Sequence, residues 1–137
     1  MFLATANVVE NIPQALKDRM EMIHLSGYTE QDKLTIVKKH IIDRRMDANG
    51  VDSKNIEFTD DGITHLISGY TRESGLRNLE REVGSLCRKV AKKVVMGSNE
   101  KVKITPNKVE ELLGPVRFIR DEDEHDDLVG IVNGLAW

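Results

Sequence analysis

The most regular pattern of apolar and polar positions in this chain lies in its second half, over about residues 75–96. Four aliphatic residues recur there at spacings of four, three and four, which is the period of one buried helix face. These residues are Leu79, Val83, Leu86 and Val90. We predict a long helix over this stretch, with Gly97 available as a left-handed cap at its end.

Two shorter helices are predicted before it. Thr29 followed by Asp32 resembles a capping box, and the apolar stripe behind this pair continues until Gly50, a suitable stop. Thr59 then opens a second helix, which buries three aliphatic residues and ends near Gly69. Both helices begin at a hydroxyl that can accept a bond from an otherwise unpaired amide.

The last predicted helix begins at Thr105 and Pro106, where a capping hydroxyl precedes a residue without an amide proton, and it ends at Gly114. Two short β-candidates, residues 55–58 and 102–105, precede helices and could pair in a small sheet. Four helices with a minimal two-stranded β element predict a compact, mainly α domain over about residues 26–116.

The flanks differ from this helical region. Residues 1–25 are predicted as a strand, a loop, a short helix and a strand-like stretch at 22–25. Two short strands without a sheet cannot bury their faces, so we interpret this segment as the end of a larger α/β unit. Residues 120–127 are strongly acidic and aperiodic, which is typical of a linker.

Composition narrows the class of protein. Of the 137 residues 39% are hydrophobic, 31% are charged and only 4% are aromatic, which suits a helical domain with an aliphatic core. The net charge of −3 predicts no global attraction to nucleic acid or to an anionic membrane. Cys87 has no internal partner and falls near the buried face of the long helix, where it is expected to pack in the core.

A basic stripe is predicted on the far side of the long helix. At about 100° per residue, four cations fall within a narrow arc away from the apolar face. They are Arg77, Arg81, Arg88 and Lys92. A guanidinium held by a helix suits a phosphate, because its donors match oxyanion geometry and it keeps its charge. The alternative is that a charged helical face simply meets water.

Four motifs in order carry a family resemblance. They are Phe2-Leu-Ala-Thr-Ala-Asn7, the stretch from Ile12 to Glu21, Leu25-Ser-Gly-Tyr-Thr-Glu30, and the segment that begins Tyr70-Thr-Arg-Glu-Ser-Gly-Leu-Arg77. Together they closely resemble the Lon family of ATP-dependent proteases, in the C-terminal part of the AAA+ ATPase module. The last nine residues resemble that family's entry into its proteolytic domain.

The resemblance implies a domain organisation. Residues 1–25 would end the large α/β subdomain, residues 26–116 would form the helical AAA+ lid, residues 117–127 would be a linker, and residues 128–137 would start the proteolytic domain. The parent would be an ATP-dependent serine protease that unfolds proteins and cleaves them with a Ser-Lys pair.

The resemblance also implies roles for single residues. Asn7 matches the sensor-1 position, Arg19 matches the arginine finger that reaches a neighbouring subunit, and Arg77 matches sensor-2 on the lid. Tyr28 and Ile36 are candidates for packing on the adenine ring. From the residues alone, Asn7 could instead close a turn and Arg19 could instead pair with a neighbouring carboxylate.

Other parts of such an enzyme are missing from the sequence. We find no Gly-rich phosphate loop, and the family's proteolytic Ser and Lys lie beyond Trp137. The chain alone is therefore expected to hydrolyse neither ATP nor peptides, and to hold no cofactor tightly. The resemblance implies that the parent uses ATP with Mg²⁺ and forms a hexameric ring of identical subunits. Its substrates would be unfolded or damaged proteins, and a membrane is not expected as a partner. The expected location is a bacterial-type cytoplasm, with the mitochondrial matrix left open.

Two other interpretations compete with the lid. A nucleic-acid-binding helical module would use the basic residues of the long helix, and the family is also associated with DNA. The candidate DNA contacts are Arg81, Arg88, Lys89, Lys92 and Lys93, with Arg72 close by. The absence of interleaved aromatic residues speaks against this module. In the third interpretation the domain is a structural spacer, and Arg77 serves only solubility.

Overall fold

The computed structural model of the chain describes residues 1–98 and 100–118. The described part is mainly helical, with two short strands. The α-helices are α1 (Gln14–Lys17), α2 (Glu30–Ile36), α3 (Ile42–Ala48), α4 (Asp60–Tyr70), α5 (Arg77–Val95) and α6 (Pro106–Leu113), and the strands are β1 (Ile56–Phe58) and β2 (Val102–Ile104). The mainly α fold class predicted for the domain is confirmed: it consists of four helical units and a minimal two-stranded β element.

The first helical unit joins α2 and α3 through a π-helical turn, Val37–Ile41. It begins with the predicted capping box, in which the Asp32 amide donates to Thr29 Oγ1 at 3.2 Å. The π turn was not predicted. Nine residues at about 100° each would place Val37 and Met46 on opposite faces of a regular helix. Both are buried, and the wider π turn reduces that angular difference.

The two strands pair, as predicted, and the structure shows that they pair in parallel, with Ile56 opposite Val102 and Phe58 opposite Ile104. Each strand leads directly into a helix that is capped by a threonine. The Gly62 amide donates to Thr59 Oγ1 at 3.1 Å, and the same hydroxyl donates to the Ile104 carbonyl at 2.8 Å. This shared hydroxyl fixes the start of α4 against the end of β2.

Helix α5 lies at the centre of the core. All four residues of its predicted apolar stripe are fully buried, and so is Cys87. They pack with aliphatic residues from α3, α4, α6, β1 and β2. Within the described ranges no helix is long and apolar enough to cross a bilayer.

The structure corrects the prediction for the first 25 residues. No strand forms at residues 2–7 or 22–25, whereas the predicted short helix is present as α1, Gln14–Lys17. A strand needs a neighbouring strand to pair its amides and carbonyls, and none lies beside these stretches in the described part of the chain. Most of the predicted linker and all of residues 128–137 lie outside the described residues.

Candidate functional site

Arg77 is the first residue of α5 and its side chain is exposed. Within residues 1–98 and 100–118 its guanidinium has no hydrogen bond and no ion pair. Most other cations of the domain are engaged: Arg44 and Arg45, for example, both bind Glu80 on α5, at 2.6 and 2.5 Å. The guanidinium is therefore available to an external anion, on a helix whose backbone is held by the core.

The turn before α5 contains a residue that the sequence analysis did not identify, Glu73. Its carboxylate accepts a bond from the Asn78 amide at 3.0 Å and from the Leu79 amide at 2.8 Å. The position that would normally supply the cap, Leu76, has no side-chain bond to the helix. Glu73 thus satisfies two of the unpaired amides and places a negative charge at the positive end of the helix dipole.

Lys33, which the sequence analysis also did not identify, binds this turn from helix α2. Lys33 lies in the first turns of α2 and is only 6% exposed. Its ammonium donates a hydrogen bond to the backbone carbonyl of Glu73. The sequence signal available was weak, because a lysine in an amphipathic helix usually faces water.

The segment that precedes α2 contacts the same turn. The Tyr28 amide donates to the Ser74 carbonyl at 3.0 Å. A Cβ at Gly27 would lie 2.9 Å from Ser74 Cβ, so the two backbones pass in close contact. Residues 26–27, where the family resemblance implies a hinge before the first lid helix, and the turn before Arg77 are therefore direct neighbours.

Asn7 and Arg19 lie elsewhere. Both are exposed, and the hydrogen bonds of the first 25 residues are local ones within the described part of the chain. Asp18 accepts a bond from Gln14 at 2.8 Å, and no ion pair joins it to Arg19. The structure records no hydrogen bond that brings either residue to Arg77, and the three roles stay predictions.

The two candidate adenine contacts differ in burial. Tyr28 is 48% exposed, so its ring is available to a ligand. Ile36 is half-buried and packs against the hydrophobic core. Core packing therefore accounts for part of the Ile36 side chain, and the adenine role of both residues stays a prediction.

Several of the cations predicted on the exposed face of α5 have partners within the domain. All four residues of the basic stripe are exposed, but Arg88 donates to Ser85 at 2.8 Å. Two further candidate DNA contacts bind within the domain: Lys89 donates to the Leu112 carbonyl, and Lys93 lies 3.4 Å from the Glu111 carboxylate. Only Arg81 and Lys92 among the five candidates lack a partner within the described ranges.

Among residues 1–98 and 100–118, the other reactive groups do not form a site. Burial raises the pKa of the Cys87 thiol from 9.0 to about 11, which disfavours the nucleophilic thiolate. His65 lies 3.0 Å from Glu110, and no three histidine, cysteine or acidic residues come together as metal ligands among the described residues. A cavity beside β2 and α6 is lined by lysines, but Glu111 pairs with two of them.

Comparison with known proteins agrees with the fold. A model of the Lon protease AAA+ ATPase lid domain matches residues 47–104. The chain is 62% identical over its 137 residues to Lon protease 2 of Bdellovibrio bacteriovorus and 53% identical to Lon protease of Geobacter metallireducens, and it spans 17% of the length of each. It is 35% identical to the solved SSD domain of Bacillus subtilis Lon protease, with a TM-score of 0.55, covering 68% of this chain and 98% of that one.

Proposed function

Since this chain belongs to the Lon protease family, we propose that its helical part is the nucleotide-sensing lid of an ATP-dependent serine protease. In this proposal residues 1–25 end the large ATPase subdomain, residues 26–116 form the lid, residues 117–127 link it onward, and residues 128–137 begin the proteolytic domain. The observation that carries the proposal is the exposed guanidinium of Arg77, which has no partner among the described residues and lies at the first residue of a helix that is fixed in the core.

The proposed mechanism follows from charge and geometry. Arg77 would contact phosphate oxygens of a nucleotide held by the large subdomain of the same subunit. ATP would supply the phosphoanhydride bond that is hydrolysed, and Mg²⁺ would neutralise charge on its phosphates. The number of phosphate oxygens within its reach changes on hydrolysis, so the lid angle changes about the hinge at residues 26–27. Arg19 would act on the site of the next subunit in a hexameric ring, and Asn7 would orient water in its own site.

This motion would drive unfolded or damaged proteins into a chamber with Ser-Lys proteolytic sites. The bacterial relatives fit a cytoplasmic enzyme. The purified chain alone should show no turnover of ATP or peptide, because it contains no phosphate-binding loop. Turnover by the purified chain that is sensitive to its own mutations would contradict this.

The test is Arg77→Ala in the full-length protein. Loss of a phosphate-contacting guanidinium should lower ATP hydrolysis and ATP-dependent protein degradation by at least about tenfold. Cleavage of short peptides that need no unfolding should persist. Lys39→Ala is the matched control, since Lys39 is an exposed cation on the π turn with no partner among the described residues. Unchanged ATP hydrolysis in Arg77→Ala would contradict the nucleotide-sensing role.

A second candidate function is DNA binding by the exposed stripe of α5. The observation in its favour is that Arg81 and Lys92 are exposed and lack partners in the described part of the chain. Titration with duplex DNA at increasing salt tests it, because phosphate contacts weaken steeply as salt rises. Absent binding at low salt, or binding that does not respond to salt, would exclude it.

A further inference from the structure

We infer that Lys33 and Glu73 are positioning residues for Arg77, which tie the phosphate-sensing helix to the first helix after the hinge. This inference rests on the proposed function and names two residues that act through Arg77 without touching the nucleotide. It is carried by one connected set of bonds: Lys33 ammonium to Glu73 carbonyl, and Glu73 carboxylate to the first turn of α5.

The first link fixes where α5 begins. Asn78 and Leu79, whose amides bind the Glu73 carboxylate, directly follow Arg77. If these two bonds are lost, the first turn of the helix frays, and Arg77 is the residue at its end. The Arg77 backbone then loses the fixed direction from which a long side chain must reach a phosphate.

The second link fixes the turn to α2. A buried ammonium is unfavourable unless it is hydrogen-bonded, and an apolar side chain would fill the same space without that penalty. Among the described residues the acceptor recorded for Lys33 is a neutral carbonyl, not a carboxylate. The bond therefore contributes little to the free energy of unfolding. Its main effect is to fix the position of the Glu73 backbone carbonyl.

The two links together connect the first turn of α5, where Arg77 would meet a phosphate, to helix α2, which follows the hinge. Lys33 lies in α2, which starts at Glu30, and the preceding Tyr28 and Gly27 contact Ser74. A displacement of Arg77 would therefore move the 73–74 turn, and through Lys33 it would move α2, without passing through the apolar core.

The experiment is a double-mutant cycle in the full-length protein, with Lys33→Met and Glu73→Gln made alone and in the Arg77→Ala background. Lys33→Met keeps most of the length of the side chain and removes its donor. Glu73→Gln keeps the backbone carbonyl that Lys33 binds. It replaces one of the two carboxylate oxygens that accept bonds from the Asn78 and Leu79 amides. Each single change should lower kcat/KM for ATP hydrolysis about tenfold, because misplacing a charged contact by about 1 Å has effects of that order or more.

In the Arg77→Ala background the same changes should lower kcat/KM less than about twofold, since residues that act through one group are not additive. Amide exchange of Asn78 and Leu79 should accelerate in Glu73→Gln. Lys38→Met is the control, because Lys38 also lies on the first helical unit but pairs with Asp60. If Lys33→Met does not fold, Glu73→Gln carries the test.

Two outcomes separate the inference from the proposed function. If Arg77→Ala is impaired while both variants match the wild type, or if their effects are equal with and without Arg77, the inference is wrong and the lid function stands. If Arg77→Ala is itself unimpaired, the proposed function fails and the inference fails with it.

Discussion

The carboxylate of Glu82, in the middle of α5, accepts a hydrogen bond from the Arg117 guanidinium at 2.9 Å. The Glu82 side chain is 7% exposed, whereas that of Arg117 is 49% exposed. The same guanidinium lies 5.8 Å from the centre of the Tyr70 ring, and the Arg117 amide donates to the Gly69 carbonyl at 3.0 Å. The segment that leaves α6 is thus fixed to the helix that begins with Arg77.

This pair predicts a loss of stability in Arg117→Met. The substitution keeps most of the side-chain length but leaves a buried carboxylate without its cation, so the free energy of unfolding should fall by about 1–3 kcal/mol. Chemical denaturation of the purified chain measures it. Lys103→Met is the control, since Lys103 is exposed, lies 3.9 Å from Glu57 and should change stability by less than about 1 kcal/mol. Equal effects of the two substitutions would contradict the assigned role of Glu82.

Gly62→Ala tests the packing of α4 on β2. A Cβ at Gly62 would lie 2.0 Å from the Ile104 carbonyl oxygen, a backbone atom that cannot rotate away. Alanine in a helix normally gains about 1 kcal/mol over glycine, but this overlap should reverse the sign and destabilise the fold by about 3 kcal/mol. Thr64→Ala, at an exposed position of the same helix, should stay within about 0.5 kcal/mol. A stabilised Gly62→Ala would show that the strand and the helix separate easily.

Cys87 predicts a pH dependence of stability. Because burial raises the pKa of its thiol from 9.0 to about 11, the unfolded chain loses this proton at a lower pH than the folded chain. Stability should therefore fall as pH rises from about 9 to 11, by roughly 2–3 kcal/mol from this group. Cys87→Ala should remove that part of the slope. Parallel pH profiles of the two proteins would contradict the prediction, and so would rapid labelling of the native thiol by a disulfide reagent.

The parts of the fold that the sequence predicted are those set by local signals. The apolar stripe of α5 and the threonine caps at Thr29, Thr59 and Thr105 depend on residues within a few positions of one another, and all are confirmed. The pairing of β1 with β2 was also predicted, because each strand precedes a capped helix.

What was missed depends on contacts between distant residues. Lys33 and Glu73 are 40 positions apart, and nothing in either local sequence indicates that they meet. The π turn at Val37–Ile41 likewise depends on the packing of the assembled core, because it lets both Val37 and Met46 be buried. The strand predictions for residues 2–7 and 22–25 failed for the opposite reason, since a local β-like pattern cannot form a strand without a partner.

The contact between Gly27 and Ser74 gives the prediction that bears most directly on coupling. A methyl group on Gly27 would meet Ser74 Cβ at 2.9 Å and its carbonyl oxygen at 3.0 Å, so Gly27→Ala must push the hinge away from the turn before α5. The bond from the Tyr28 amide to the Ser74 carbonyl should weaken with it. Because the apolar core around α5 does not include Gly27 or Ser74, the lid itself should stay folded, and its melting temperature should change little.

In the full-length protein, Gly27→Ala should therefore separate two activities. ATP hydrolysis should stay within about threefold of wild type, while degradation of a folded substrate should fall by about tenfold, since the hinge no longer follows the Arg77 turn. Gly75→Ala is the matched control, because a Cβ there has no neighbour within 4 Å. A Gly27→Ala protein that loses both activities in proportion would indicate that the contact serves assembly of the ATPase site, and not transmission from it.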